Sequence, residues 1–288
     1  MEKTDLPQAP QLDLTKIKNL DAVRDDGFIK QISESRKNKY RYTDPELVPL
    51  PSKGKLYQTE DQDIKSGMIK LFPMTLKEEE ILATPRFLRS GSGTRMVLEN
   101  CIASNFAARD ILIYDSNYLL FKLRQISYGD SYTFTIKCDN PVCEHEFEHT
   151  VDISKLSFEE LPDDFVEPIE VLLPKSNFTV ISILPRLSHS EELTIKSGSR
   201  KKSTSDSDRK FLDNLLVTTV AIYDKEKKPI PQNHWEDFYN SLIGMDAAEL
   251  REKTFFSTGV DKLKGVECPY CNNEYSGTIP VGAEFFRF

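Results

Sequence analysis

The chain has 288 residues, enough for a substantial core, and 38 basic against 46 acidic side chains give it a net charge of −8. That balance is a poor footing for nucleic-acid binding, which relies on Lys and Arg neutralising phosphates. No apolar run approaches the ~20 residues that cross a bilayer. Five cysteines in a chain of this length, opening "MEKTDLPQAP" without an apolar signal segment, point to reduced thiols and a cytoplasmic origin.

Residues 1–42 carry mixed charge and scattered apolar residues, too few for a core, and read as a flexible docking arm. Ordered structure is expected from "DPELVPLPSKGKLY", where Pro45, Pro49 and Pro51 enforce an extended path and Gly54 permits a turn. "SGMIKLFPMTLKEEEIL" predicts a short strand, a stop at Pro73 and a helix from Thr75, with Glu78 completing a T-x-x-E capping box. A second helix is expected through "TRMVLENCIASNF", with Cys101 as a small core side chain. A third is expected from a cap at Asp115, with Leu119, Leu120, Leu123 and Ile126 on one face and Gly129 as the stop.

The third helix feeds "SYTFTIKC", where Tyr132, Phe134 and Ile136 alternate with polar residues as in a half-buried strand. Cys138 and Cys143 follow in "KCDNPVCEHEF", whose Asp139, Asn140 and Pro141 have the composition of a turn. "FEHTVDISKL" returns as a strand, and "IEVLLPKSNFTVISILP" predicts a hairpin turning at Pro174 to Asn177. Residues 197–208 lack any apolar side chain and are expected to be a mobile loop. A helix then places Leu212, Leu215, Leu216, Thr219 and Ile222 on one side, before two shorter helices in "NHWEDFYNSLI" and "DAAELREKTFF".

Near the end, "VECPYCNNEY" supplies Cys268 and Cys271. A C-x-x-C turn offers only two ligands of a tetrahedral metal site, so Cys138 and Cys143 are the candidates to complete it with zinc. His145 and His149 are spare ligands nearby, and the bland alternative is four unrelated thiols or two disulfides. The expected architecture is an α+β domain over residues 43–288, of helices packed with short antiparallel strands. Two β-hairpin knuckles, 130–151 and 262–288, form its zinc ribbon. Such a closed site joins segments separated by 124 residues, a mechanical rather than a catalytic task. The terminal "AEFFRF" is then either a contact patch or an inward-packed plug.

Catalytic constellations are missing: there is no H-E-x-x-H helix, no G-x-S-x-G elbow and no Walker-type loop. "SGSGT" at 90–94 reads as a connection between helices, and the carboxylates of "KEEEIL" and "FEELPDD" as solvated helix faces. His234-x-Glu236 ahead of Cys268 and Cys271 imitates a zinc-deaminase pattern, but Glu267 stands where that pattern has proline, and the first cysteine pair is left without a task.

Taken together, "VPLPSKGKLY", "PMTLKEEEIL", "YLLFKLRQISYGD" leading into a cysteine pair, and a second pair followed by "FFRF" resemble the baseplate hub and hub-assembly proteins of T-even-like contractile-tailed bacteriophages. The resemblance covers most of residues 47–288 and is weak over 190–260. It implies a non-enzymatic protein that builds the tail baseplate through contacts with other phage tail proteins, without nucleic-acid, membrane or small-molecule partners. Its site would be the host cytoplasm during assembly, after which the chain either stays in the virion tail baseplate or leaves it. It also implies that Cys138, Cys143, Cys268 and Cys271 are structural. A nucleic-acid-associated zinc-ribbon protein is the second reading and a zinc deaminase the third.

Overall fold

The structure is a computed structural model describing residues 41, 43–84, 87, 92–189, 193, 206–254, 265–275 and 277–286. The expected arm therefore lies outside the described residues except at Arg41, as do residues 197–205 of the expected loop. Helices and short antiparallel strands make an α+β fold with two main hydrophobic cores.

The first core begins with β1 (Glu46–Pro49), which pairs antiparallel with β2 (Met68–Leu71) in the register Glu46 to Leu71. Between them "LPSKGKLY" makes a tight reversal in which Lys53 and Gly54 both take left-handed backbone angles. A Cβ on Gly54 would lie 1.9 Å from the Ile64 carbonyl oxygen, so only glycine fits there. Helix α1 (Gln62–Lys65) is capped by Asp61, whose carboxylate accepts from the N–H groups of Asp63 and Ile64.

Helix α2 (Leu76–Ala83) starts where Thr75 predicts it, and the Thr75 N–H and hydroxyl both donate to Glu78, at 2.8 and 2.7 Å. Glu78 is not on a solvated face: it is buried and faces Arg41 at 3.4 Å. Nor is "FEELPDD" a helix; its Asp163 instead pairs with Lys53 and Lys55. Helix α3 (Ser92–Cys101) stops short of the expected end at Phe106. Residues 101–103 instead run along the free edge of β2, where Phe72 N–H donates to Cys101 O and Ala103 N–H to Lys70 O, both at 2.8 Å. Pairing with an open strand edge satisfies backbone groups that a further helical turn would have left on β2.

Helix α4 (Ile113–Tyr128) begins two residues before Asp115, which is therefore inside the first turn and not its cap. Its stop at Gly129 is as expected, with φ of 88° and its N–H donating to Gln125 O. Strand β3 (Ser131–Lys137) alternates buried and exposed residues along its length and pairs with β4 (Glu146–Asp152) from Ser131–Asp152 to Lys137–Glu146.

The second core lies between residues 169 and 254. Strands β5 (Ile169–Leu172), β6 (Thr179–Ser182) and β7 (Thr219–Tyr223) form one antiparallel sheet in that order. Helix α5 (Asp206–Thr218) starts inside the expected loop and ends before Ile222. The helical stripe read through Leu212 to Ile222 is thus half strand, because the β-branched run Val217, Thr218, Thr219, Val220 favours a pleated surface. Helices α6 (Trp235–Asn240) and α7 (Gly244–Thr254) cover the sheet with Trp235, Tyr239 and Leu250. Buried Asp246 accepts the Lys175 and Ser176 N–H groups at 2.8 and 3.1 Å, tying α7 to the β5–β6 turn.

The chain then returns to the first core. Strands β8 (Val266–Glu267) and β9 (Glu274–Tyr275) form a second small hairpin, and Val266, Ile279, Phe285 and Phe286 join the cluster built by α2, α3, α4 and β3. Phe285 is fully buried against Phe121 and Tyr132, ring centroids 4.9 Å away in each case. The phenylalanine pair is a plug, not a contact patch.

Candidate metal centre

Each cysteine pair sits in a turn whose shape follows from its residues. In the first, the Cys138 N–H donates to His145 O at 2.9 Å, closing the end of the β3–β4 ladder, and the N–H groups of Cys143 and Glu144 both donate to Asn140 O at 3.0 Å. In the second, Cys268 N–H donates to Asn273 O and Asn272 N–H to Cys268 O, both at 2.9 Å. Although one turn is C-x-x-x-x-C and the other C-x-x-C, the residue after the second cysteine is left-handed in both: Glu144 at φ 47° and Asn272 at φ 56°. The two extra residues of the first turn are absorbed before Cys143, leaving its exit like that of the second.

All four sulfurs lie within 4.8 Å of one another. Cys138 Sγ is 3.6 Å from Cys271 Sγ, and Cys143 Sγ is 3.8 Å from Cys268 Sγ. A tetrahedral ion with metal–sulfur bonds of ~2.3 Å holds its sulfurs ~3.8 Å apart, whereas a disulfide needs ~2.05 Å. The cysteines are free thiols, and their spacing fits a metal ion and not two disulfides. Cys101, buried in the first core, takes no part.

The surroundings favour thiolate on one side of the cluster. Burial pushes the Cys268 thiol up, but the N–H groups of Tyr270 and Cys271 and the neighbouring sulfurs outweigh it and bring it to about 7. At Cys138 the Asn140 N–H, 3.5 Å from the sulfur, favours thiolate, but burial and the other three sulfurs together raise it to about 12. Cys143 is also raised: a backbone N–H at His145 lowers it, but burial, Cys271 and Cys268 prevail. Four thiols crowded this closely cannot all ionise without a cation among them. Asn140 adds a side-chain N–H 3.8 Å from Cys271 Sγ.

The other candidates fall outside the cluster. His145 Nδ1 is 3.3 Å from Cys143 Sγ, and its ring stacks on Tyr270 at 4.4 Å. His149 points from β4 toward the edge of Phe134. His234 and Glu236 lie at the start of α6 and are not among the grouped ligands, so the deaminase pattern is not assembled around these cysteines. Asn140 is the turn residue its sequence context predicts, whereas the left-handed Asn272 is not anticipated, although an asparagine directly after a C-x-x-C is a legible turn signal.

These features define a class: an α+β protein in which four thiols from distant segments converge beside the main core. Residues 47–287 match the family described as T4 bacteriophage base plate protein, and the chain belongs to that family. No curated protein and no solved structure matches it.

Proposed function

We propose that the chain is a non-enzymatic component of the phage tail baseplate, acting in building or forming the hub through contacts with other tail proteins. It would assemble in the host cytoplasm and act at the tail. The observation carrying this reading is the family match over residues 47–287. No helix among the described residues is long and apolar enough to cross a membrane, and the acidic balance disfavours phosphate backbones as partners.

Within that role, Cys138, Cys143, Cys268 and Cys271 hold one structural Zn²⁺, and the two hairpins form a zinc ribbon. The ion would supply a cross-link: closing a long loop costs only ~0.6 kcal/mol more per doubling of its length, while zinc coordination contributes on the order of 10 kcal/mol to folding. Four thiolates close the coordination shell and leave no position for substrate. Metal analysis of the purified chain tests the site, with one zinc per chain expected and loss of it in Cys268→Ser. Full zinc in that variant would contradict the four-thiolate site. Co-expression with the tail proteins encoded beside it tests the role, with a stable complex expected.

A further inference from the structure

The two cysteine turns touch one another, His145 of the first against Tyr270 of the second, and both carry exposed residues at their tips. Val142, at the tip of the first, is 95% exposed, and Tyr270, at the tip of the second, is 62% exposed. Pro141 and Pro269 beside them are exposed as well. Tyr270 is not a loose side chain, because the His145 ring of the opposite turn stacks on it at an interplanar angle of 21°. An aromatic residue already held in place loses little freedom on being covered, which suits it to anchor a contact.

The same two turns and their flanking strands carry exposed carboxylates. Asp139, Glu144, Glu146, Glu267 and Glu274, each within three residues of one of the four cysteines, are all exposed, and the only lysine or arginine at that separation is Lys137, which reaches Glu144 at 3.6 Å. Glu267 and Glu274 face each other directly across the two-residue β8–β9 ladder, and no cation among the described residues pairs with either. Like charges opposite one another weaken a strand pair, and here the pair has only one further rung to support it. A cation from outside would turn that repulsion into attraction.

We propose that the tip formed by Val142 and Tyr270 is a docking surface for a protein segment with an apolar centre flanked by lysine or arginine. The inference rests on the four-cysteine metal reading for the fixed placement of the two turns. A second copy of this chain would bring the same carboxylates against each other, and a phosphate backbone or anionic lipid would meet the same repulsion. A basic protein surface is the partner whose charge complements these exposed carboxylates.

The test titrates the full zinc-loaded chain with a fluorescein-labelled peptide alternating lysine with leucine and phenylalanine, and with its glutamate counterpart. Binding of the lysine peptide alone is expected, weakening with salt. Val142→Asp, Tyr270→Ser and Glu267→Lys should each lower affinity roughly tenfold, while Leu172→Asp on the remote β5 strand should not. Glu267→Lys should also raise the thermal midpoint, since it replaces a like-charge pair with an opposite one; a residue that only supported the hairpin would not couple higher stability to weaker binding. Equal affinity in all variants, preference for the glutamate peptide, or a dimer abolished by Val142→Asp would each overturn the proposal. Metal analysis of the same samples separates the two readings. Full zinc with tip-independent binding removes the docking surface alone, whereas tip-dependent binding by a chain that purifies without zinc removes the metal site alone.

Discussion

Asp115 shows how much a single buried carboxylate organises. Fully buried, it accepts the Ser52 N–H at 2.9 Å, the Ser52 hydroxyl at 2.5 Å and the Tyr57 hydroxyl at 2.6 Å, so "LPSKGKLY" folds onto the first turn of α4 through one side chain. Burial raises its pKa and the three donors hold it down in part. Asp115→Asn keeps one acceptor but turns an N–H₂ toward two hydroxyls, and a loss of about 1–3 kcal/mol in denaturant unfolding is expected. At Asn272, glycine should be tolerated within about 0.5 kcal/mol, whereas valine, strained at φ 56°, should cost about 1–2 kcal/mol and weaken zinc retention. The pH dependence has a definite sign. Zinc takes thiolate, Cys138 and Cys143 are raised, and only Cys268 is brought to about 7. Acid would therefore compete with a zinc ion at this cluster, and a competition titration should show affinity falling as pH is lowered. Asp115 was legible as a polar residue at a helix start, but its role was not. A cap and a buried acceptor look alike until the turn that carries Ser52 and Tyr57 is placed.

At the scale of elements, sequence pattern served best where one signal dominated. The T-x-x-E box began α2 at its observed start, alternation in "SYTFTIK" marked β3, and Gly129 ended α4. It failed where two periods overlapped. Leu212, Leu215 and Leu216 keep helical spacing and Thr219 and Ile222 continue it by coincidence, though the chain is already extended at Thr219. It failed again at α3, whose end is decided by the open edge of β2, a neighbour distant in sequence. The turns that join elements are correspondingly sensitive. Asp246→Ala would strand two backbone N–H groups at the β5–β6 turn and cost about 2–3 kcal/mol. Gly54→Ala should cost about 3 kcal/mol or more, because its methyl group would have to displace the Ile64 carbonyl. Thermal or denaturant unfolding measures both.

Across the whole molecule, the first core is built from both ends of the described chain, with residues 169–254 forming a second core in between. Two cysteine pairs of unequal spacing, set in turn-forming residues between strand-like runs, brought the distant turns together in the sequence, because four soft ligands have few other uses in a reduced chain. Nothing in the sequence decided which way Phe285 and Phe286 face, since that depends on the space left between Phe121 and Tyr132. Phe285→Ala should cost about 3–5 kcal/mol. If the four thiols hold an ion, chelating it would release the same returning segment, and the two losses together should fall short of their sum.

The sulfurs of Cys138 and Cys271 meet across 133 positions of chain, and those of Cys143 and Cys268 across 125. With an ion between them, a pull applied across the two hairpins would travel through four metal–sulfur bonds and bypass the intervening sheet and helices. The second core would then sit off the line of tension, free to yield or to be remodelled while the first stays anchored. In a base plate protein, such a short circuit would let residues 169–254 shift while the first core holds.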